Sequence, residues 1–164
     1  MNILLAGNPG IGKTTIIKKV ISDIENAGGF YTEEIRNKYR KGFRIVTLAG
    51  EKGILAHVDI GGRYTVGKYG VNLKDLDGIA VKSVEESLDK DLIVIDEIGK
   101  MELYSRNFKE VVDRALNTEK VLGTIMSKNN YFIKKIKNRD DTKIVIVDKH
   151  NRNSLVEKIK KLIT

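Results

Sequence analysis

The sequence predicts an α/β fold: a mostly parallel, twisted sheet with helices on both faces and a β-hairpin insertion. Three observations predict it. The chain opens on a short apolar run, Ile3 to Ala6, which passes through a glycine-rich turn into residues spaced as a helix. Its second half alternates short apolar runs with helical patterns, an order that right-handed crossovers convert into a parallel sheet. Between these halves lie short β-rich runs separated by glycines and polar turns, at the spacing of a hairpin or small meander.

The elements follow in order. Ile16, Ile17, Val20, Ile21 and Ile24 recur at helical spacing from Lys13 onward, and Gly28-Gly29 is expected to end that helix. Phe30 to Thr32, Phe43 to Leu48 and Ile54 to Val58 form the β-rich insertion, residues 61 to 72 a glycine-rich loop, and Leu73 to Leu88 a weakly periodic helix. Leu92 to Ile95 is a continuous apolar strand, as a parallel sheet covered on both faces requires. Ser105 caps a helix carrying Phe108, Val111, Val112, Ala115 and Leu116. Val121 to Met126 is the next strand, Tyr131 to Ile136 a short helix and Ile144 to Val147 the last strand. Ser154 and Glu157 have the spacing of a capping box before Leu155, Ile159 and Leu162. With no repeat or linker in 164 residues, residues 1–164 are expected to form one domain.

Composition narrows the function. There is no cysteine, which excludes a disulfide framework, a thiolate metal site and a cysteine nucleophile. His57 and His150 lack partners at ligand spacing, so a transition-metal site is not expected. No apolar run reaches the length of a signal core or a membrane span, so the protein is expected to be soluble, cytoplasmic, monomeric and without membrane partners. The net charge of +8 favours anionic partners. The basic residues are scattered and not interleaved with aromatics, so a solvated lysine-rich surface is favoured over a nucleic-acid site.

Two motifs carry chemistry. Gly7-Asn8-Pro9-Gly10-Ile11-Gly12-Lys13-Thr14 matches G-x-x-x-x-G-K-[ST] between a strand and a helix, the context of a P-loop. Its glycines let backbone N–H groups turn inward on phosphates, and the helix N-terminus adds a positive dipole end. Lys13 is expected to reach the β- and γ-phosphates and the Thr14 hydroxyl to ligate Mg²⁺, with Thr15 beside them in the nucleotide site. The second motif is Asp91-Leu92-Ile93-Val94-Ile95-Asp96-Glu97, an apolar strand whose carboxylates emerge at its C-terminal end, where open α/β sheets bind ligands. Asp96 is expected to hold Mg²⁺, and Glu97 to orient or deprotonate an attacking water. The catalytic set is therefore Lys13, Asp96 and Glu97, and the substrates are nucleoside triphosphates.

Asp96-Glu97-Ile98-Gly99-Lys100-Met101-Glu102-Leu103 resembles the signature of a small family of P-loop nucleoside-triphosphatases, known from thermophilic prokaryotes and from a human cancer-related nucleoside-triphosphatase. Gly29 to Arg36, Gly42-Phe43, Val66 to Val71, Gly123-Thr124-Ile125 and Asn151-Arg152 appear in the same family order, so the resemblance covers nearly the whole chain. It implies slow, Mg²⁺-dependent hydrolysis of several nucleoside triphosphates with little base preference. It also implies nucleotide contacts along Ile93, Val94, Ile95, Asp96, Glu97, Ile98, Gly99 and Lys100, beside the loop from Gly7 to Thr14. One departure is Met126, where the family often has Pro or His.

Six basic residues are candidates to neutralise transition-state charge: Arg36, Arg44, Arg63, Lys100, Arg106 and Arg152, with Arg36 and Lys100 ranked first because they lie in the motif segments closest to the expected site. Glu33 and Glu34, with Tyr31, are either a substrate-facing edge or a solvated strand. Tyr64 and Tyr69, each beside a basic residue, either stack a base or belong to an ordinary loop. A nucleotide-dependent switch, a nucleic-acid-stimulated ATPase and a small-molecule kinase are the alternatives to a free-standing triphosphatase.

Overall fold

Apolar runs buried on both faces become neighbouring parallel strands. The computed structural model describes residues 1–163. Its strands are β1 (Asn2–Ala6), β2 (Ala27–Arg36), β3 (Arg40–Thr47), β4 (Lys52–His57), β5 (Thr65–Val66), β6 (Tyr69–Val71), β7 (Leu92–Ile98), β8 (Val121–Ile125) and β9 (Thr142–Ile146). They form one sheet in the order β5-β6-β4-β3-β2-β7-β8-β1-β9. From β2 to β9 in that order every pairing is parallel, whereas β3 to β6 add an antiparallel wing. β8 lies between β1 and β7, so the loop after β1 and the acids ending β7 flank the tip of β8.

The helices are α1 (Lys13–Ile21), a segment α2 from Leu73 to Glu85, α3 (Arg106–Asn117), α4 (Tyr131–Lys137) and α5 (Arg152–Ile163). Ile16, Ile17 and Val20 of α1 and Leu155 and Ile159 of α5 pack on Leu5, Val94 and Leu122 from one face. Residues of α2, α3 and α4 cover the other face, where Phe30 meets Phe108 edge-on at 6.3 Å. Asn2 ties the central strands together. Its amide donates to the Leu116 carbonyl at 2.9 Å and its oxygen accepts the Val121 N–H at 3.0 Å.

Several local expectations are corrected. α1 ends at Ile21, and Gly28-Gly29 lies inside β2, paired with Ile93 and Val94. A Cβ at Gly29, whose φ is +102°, would overlap the Val94 carbonyl oxygen, so glycine here serves strand packing and not helix termination. Gly29→Ala is expected to destabilise the fold by about 3 kcal/mol, through overpacking against backbone and a strained φ. Denaturant unfolding measures it. A second correction concerns residues 61 to 72. They include the β5–β6 hairpin, held to the turn just after the signature segment by the Tyr104 hydroxyl, which donates to the Thr65 carbonyl at 2.6 Å. The insertion is thus a four-stranded wing.

The Leu73 to Leu88 helix is interrupted: Leu73–Asp75 and Lys82–Glu85 are α-helical, and Leu76–Val81 between them is a π-helical stretch. Ser105 does cap α3, accepting the Phe108 N–H at 3.0 Å. Ser154 and Glu157 do not form a capping box. α5 begins two residues before Ser154, whose hydroxyl donates back to the Asn151 carbonyl at 3.0 Å. Among the described residues no helix is long and apolar enough to cross a membrane.

Candidate active site

The chain leaves β1 at Ala6 and turns over the strand tip before α1 begins at Lys13. Gly10 and Gly12 stand at φ +79° and +112°, conformations that glycine adopts without strain. The loop therefore presents backbone to a ligand, and the first N–H groups of α1 face the same space. The Lys13 ammonium folds back across the loop, donating to the Gly7 carbonyl at 2.5 Å and the Asn8 carbonyl at 3.3 Å.

Two hydroxyls, one from α1 and one from β8, meet at Asp96. The Thr14 hydroxyl at the start of α1 donates to its Oδ2 at 2.7 Å, and the Thr124 hydroxyl at the end of β8 donates to its Oδ1 at 2.7 Å. Asp96 is only 3% exposed. Burial pushes its pKa up, opposed by the bonds from Thr124, Thr14 and the Thr32 N–H and by the Lys13 charge. Glu97, next in the chain, is raised by burial and by Asp96, with Lys13 opposing. A third carboxyl, Glu102, is buried behind them and accepts the Gly99 N–H at 3.0 Å.

Burial first and the Glu97 charge second hold the Glu102 pKa well above the ordinary glutamate range. A carboxyl raised on folding contributes stability that is fully present below its unfolded pKa and lost as pH rises through its folded pKa. Glu102→Gln, which cannot ionise, is therefore expected to melt higher than the parent chain at pH 8. That gain disappears below about pH 4, where unfolded glutamate is also protonated. Melting curves at the two pH values test it.

The structure sorts the sequence candidates. Gly7, Asn8, Pro9, Gly10, Ile11, Gly12, Lys13, Thr14 and Thr15 form the loop and the first turn of α1. Ile93, Val94 and Ile95 are wholly buried, and their side chains sit in the two cores. Their part in the site is to carry Asp96 and Glu97 to the strand tip. Ile98 and Gly99 are buried beyond the acids, and Lys100 is exposed. Met126 packs against the core, and Thr124, two residues earlier, makes the contact at the β8 tip.

Of the cationic candidates, Arg36 pairs with Glu34 at 3.1 Å, Arg44 with Glu33 at 3.8 Å and Arg106 with Glu110 at 3.3 Å. Arg63 lies over the Tyr64 ring at 5.5 Å. Arg152, ranked behind Arg36 and Lys100 from sequence, is the one hydrogen-bonded to the loop, donating to the Ile11 carbonyl at 3.3 Å. Thr32 and Thr124 escaped the residue-by-residue reading. The strand order is the signal that finds Thr124, because it seats β8 between the two motif strands.

A cavity of about 470 Å³ opens from the loop, with Lys13, Thr14 and Lys18 on one side and Thr32, Glu33 and Glu34 on the other. A hydroxyl and a carboxylate beside a phosphate-binding loop suit Mg²⁺, which takes few protein ligands and completes its octahedron with water and phosphate oxygens. Among the described residues no cluster of three or more His, Cys, Asp or Glu offers an all-protein cage for a metal.

Comparison with known proteins gives consistent results. Residues 2–160 match a family model described as NTPase. The chain is 54% identical over 162 residues to nucleoside-triphosphatase THEP1 of Thermotoga maritima, covering 97% of this chain and 93% of that protein. The crystal structure of THEP1 from Aquifex aeolicus superposes with a TM-score of 0.92 at 34% identity, covering 99% of both chains. The solution structure of a human cancer-related nucleoside triphosphatase gives 0.84 at 37% identity, covering 99% of this chain and 97% of that one.

Proposed function

This chain belongs to the NTPase family and is a nucleoside-triphosphatase; we propose that it hydrolyses nucleoside triphosphates to the diphosphate and phosphate, with Mg²⁺ and with little preference among bases. The observation that carries this reading is the convergence on Asp96. Hydroxyls from Thr14 and Thr124 hold both of its oxygens while Glu97 follows it in the chain. Phosphoryl transfer asks a protein chiefly for positioning and charge stabilisation. The loop N–H groups and Lys13 bind the phosphates. Thr14 and Asp96 hold Mg²⁺, which when bound neutralises charge on the phosphate oxygens. Glu97 orients the attacking water and takes its proton, and the raised pKa given it by burial and Asp96 makes it a stronger base than an exposed glutamate.

The test is phosphate release from ATP, GTP, CTP and UTP, each with Mg²⁺ and with excess chelator. Release from all four at rates within about tenfold, abolished by chelator, is the expected result. Phosphate appearing on a second substrate would establish a kinase instead. Release seen only with added nucleic acid would establish a nucleic-acid-stimulated ATPase.

A further inference from the structure

Cavities on either side of the loop differ in chemistry. The first, described above, contains Lys13 and Thr14 together with the carboxylates Glu33 and Glu34. The second, of about 340 Å³, lies on the other side of the loop, toward α5. Its lining contains no carboxylate. Ile11, Ile16 and Val156 give it aliphatic walls, with Arg152, Asn153 and Lys19 among them. Gly10, Gly12 and Thr15 border both cavities, so a ligand whose phosphates fill the loop can extend into either.

The reacting γ-phosphate belongs with Thr14, Asp96 and Glu97, on the side of the first cavity. The rest of the nucleotide can then follow Gly10, Gly12 and Thr15 into the second cavity, which, unlike the first, sets no carboxylate against it. We infer that this second cavity seats the nucleobase, clamped between the Arg152 guanidinium and the aliphatic wall of Ile11 and Val156. The inference rests on the triphosphatase reading and deepens it by assigning the base subsite.

The local structure delivers Arg152 to that position. The turn after β9 is knitted by short hydrogen bonds: Asp148 Oδ1 accepts the N–H groups of His150 and Asn151 at 2.8 and 2.9 Å. The Asn151 amide donates to the Ile146 carbonyl at 2.7 Å, and its oxygen accepts the Asp148 N–H at 2.9 Å. α5 starts immediately afterwards at Arg152, whose guanidinium reaches 141 residues back to the Ile11 carbonyl. The Arg152 Cδ stands 4.0 Å from where a Cβ on Gly12 would be, which seats its stem on the phosphate loop itself.

A planar guanidinium stacks on any π-face, and aliphatic walls exclude water without reading the base edge. Such a seat holds purines and pyrimidines alike. It supplies a physical reason for weak base preference in the same residues that supply affinity.

The test separates base from phosphates. Dissociation constants for ATP, UTP and inorganic tripolyphosphate are measured with Mg²⁺ on the full chain and on Arg152→Ala and Arg152→Lys. The expected result is a loss of about tenfold for ATP and UTP in Arg152→Ala, within the range measured for removing one aromatic–base stack, with tripolyphosphate affinity unchanged. Arg152→Lys keeps the charge without the plane and does not restore ATP binding. Equal weakening of ATP and tripolyphosphate would make Arg152 a phosphate ligand and overturn the assignment, as would unaltered ATP affinity in Arg152→Ala. A parent chain that binds tripolyphosphate but not ATP overturns the base subsite alone. One that binds neither overturns the nucleotide reading with it.

Discussion

Glu97→Gln is expected to release phosphate from ATP about 10²- to 10⁴-fold more slowly than the parent chain, the range over which a positioned general base acts. Its affinity for Mg²⁺ and ATP together should stay within a few-fold. Glutamine fills the same volume and keeps an oxygen that can orient water, but it cannot accept the proton. The change also removes one charge from a site where burial and Asp96 already disfavour its ionisation, and where it in turn disfavours that of Glu102. The variant should therefore be no less stable than the parent. Single-turnover phosphate release alongside equilibrium nucleotide binding checks both halves. Near-normal turnover in Glu97→Gln would move the base to another carboxyl, Glu102 or Glu33.

The loop from Gly7 to Thr14 and the strand that carries Asp96 and Glu97 were readable in sequence because they are local. A P-loop spends its information on consecutive residues, and Leu92 to Ile95 advertises a doubly covered strand by being apolar without interruption. Features set by the sheet were not. Gly28-Gly29 reads as a helix stop, the commonest use of such a pair, yet Gly28 makes room for the Ser87 side chain and Gly29 for the carbonyl of Val94, 65 residues away. Ser154 and Glu157 have capping-box spacing, but the Asp148–Asn151 turn starts the helix earlier, and the box goes unused.

Glu102 carries no local sign of being buried, because a carboxylate between the apolar Met101 and Leu103 reads as the residue turned to solvent. Its burial comes from the turn that returns it to the Gly99 N–H. Arg36 and Lys100 ranked ahead of Arg152 because they lie in the motif segments closest to the expected site. The fold reverses that order: Glu34 occupies Arg36, while Arg152 arrives at the loop from the last turn before α5. Proximity along the chain was a poor substitute for strand order, which places β9 next to β1 and brings the chain after β9 to the P-loop.

Lys13→Ala should lose binding and turnover together, which distinguishes its role from that of Glu97. The Lys13 ammonium spans the loop, on the Gly7 and Asn8 carbonyls. Binding a triphosphate sets the phosphate oxygens in competition with those carbonyls for its three donors. A charge-assisted bond lost from a partly buried site costs about 1.5–3 kcal/mol, so ATP affinity should fall roughly 10- to 100-fold. Turnover at saturating ATP should fall by a further 10²- to 10³-fold or so, as when one preorganised donor to a developing charge is removed.

Thermal stability should change little, because neither carbonyl depends on the ammonium for burial: Gly7 is half-buried and Asn8 is exposed. The same variant separates the two ends of the nucleotide site. If the base lies against Arg152 and the phosphates against Lys13, Lys13→Ala weakens ATP and tripolyphosphate by the same factor, whereas Arg152→Ala weakens ATP alone. Retention of tight ATP binding in Lys13→Ala would show that the loop backbone and Mg²⁺ hold the phosphates without the lysine, and would confine Lys13 to the chemical step.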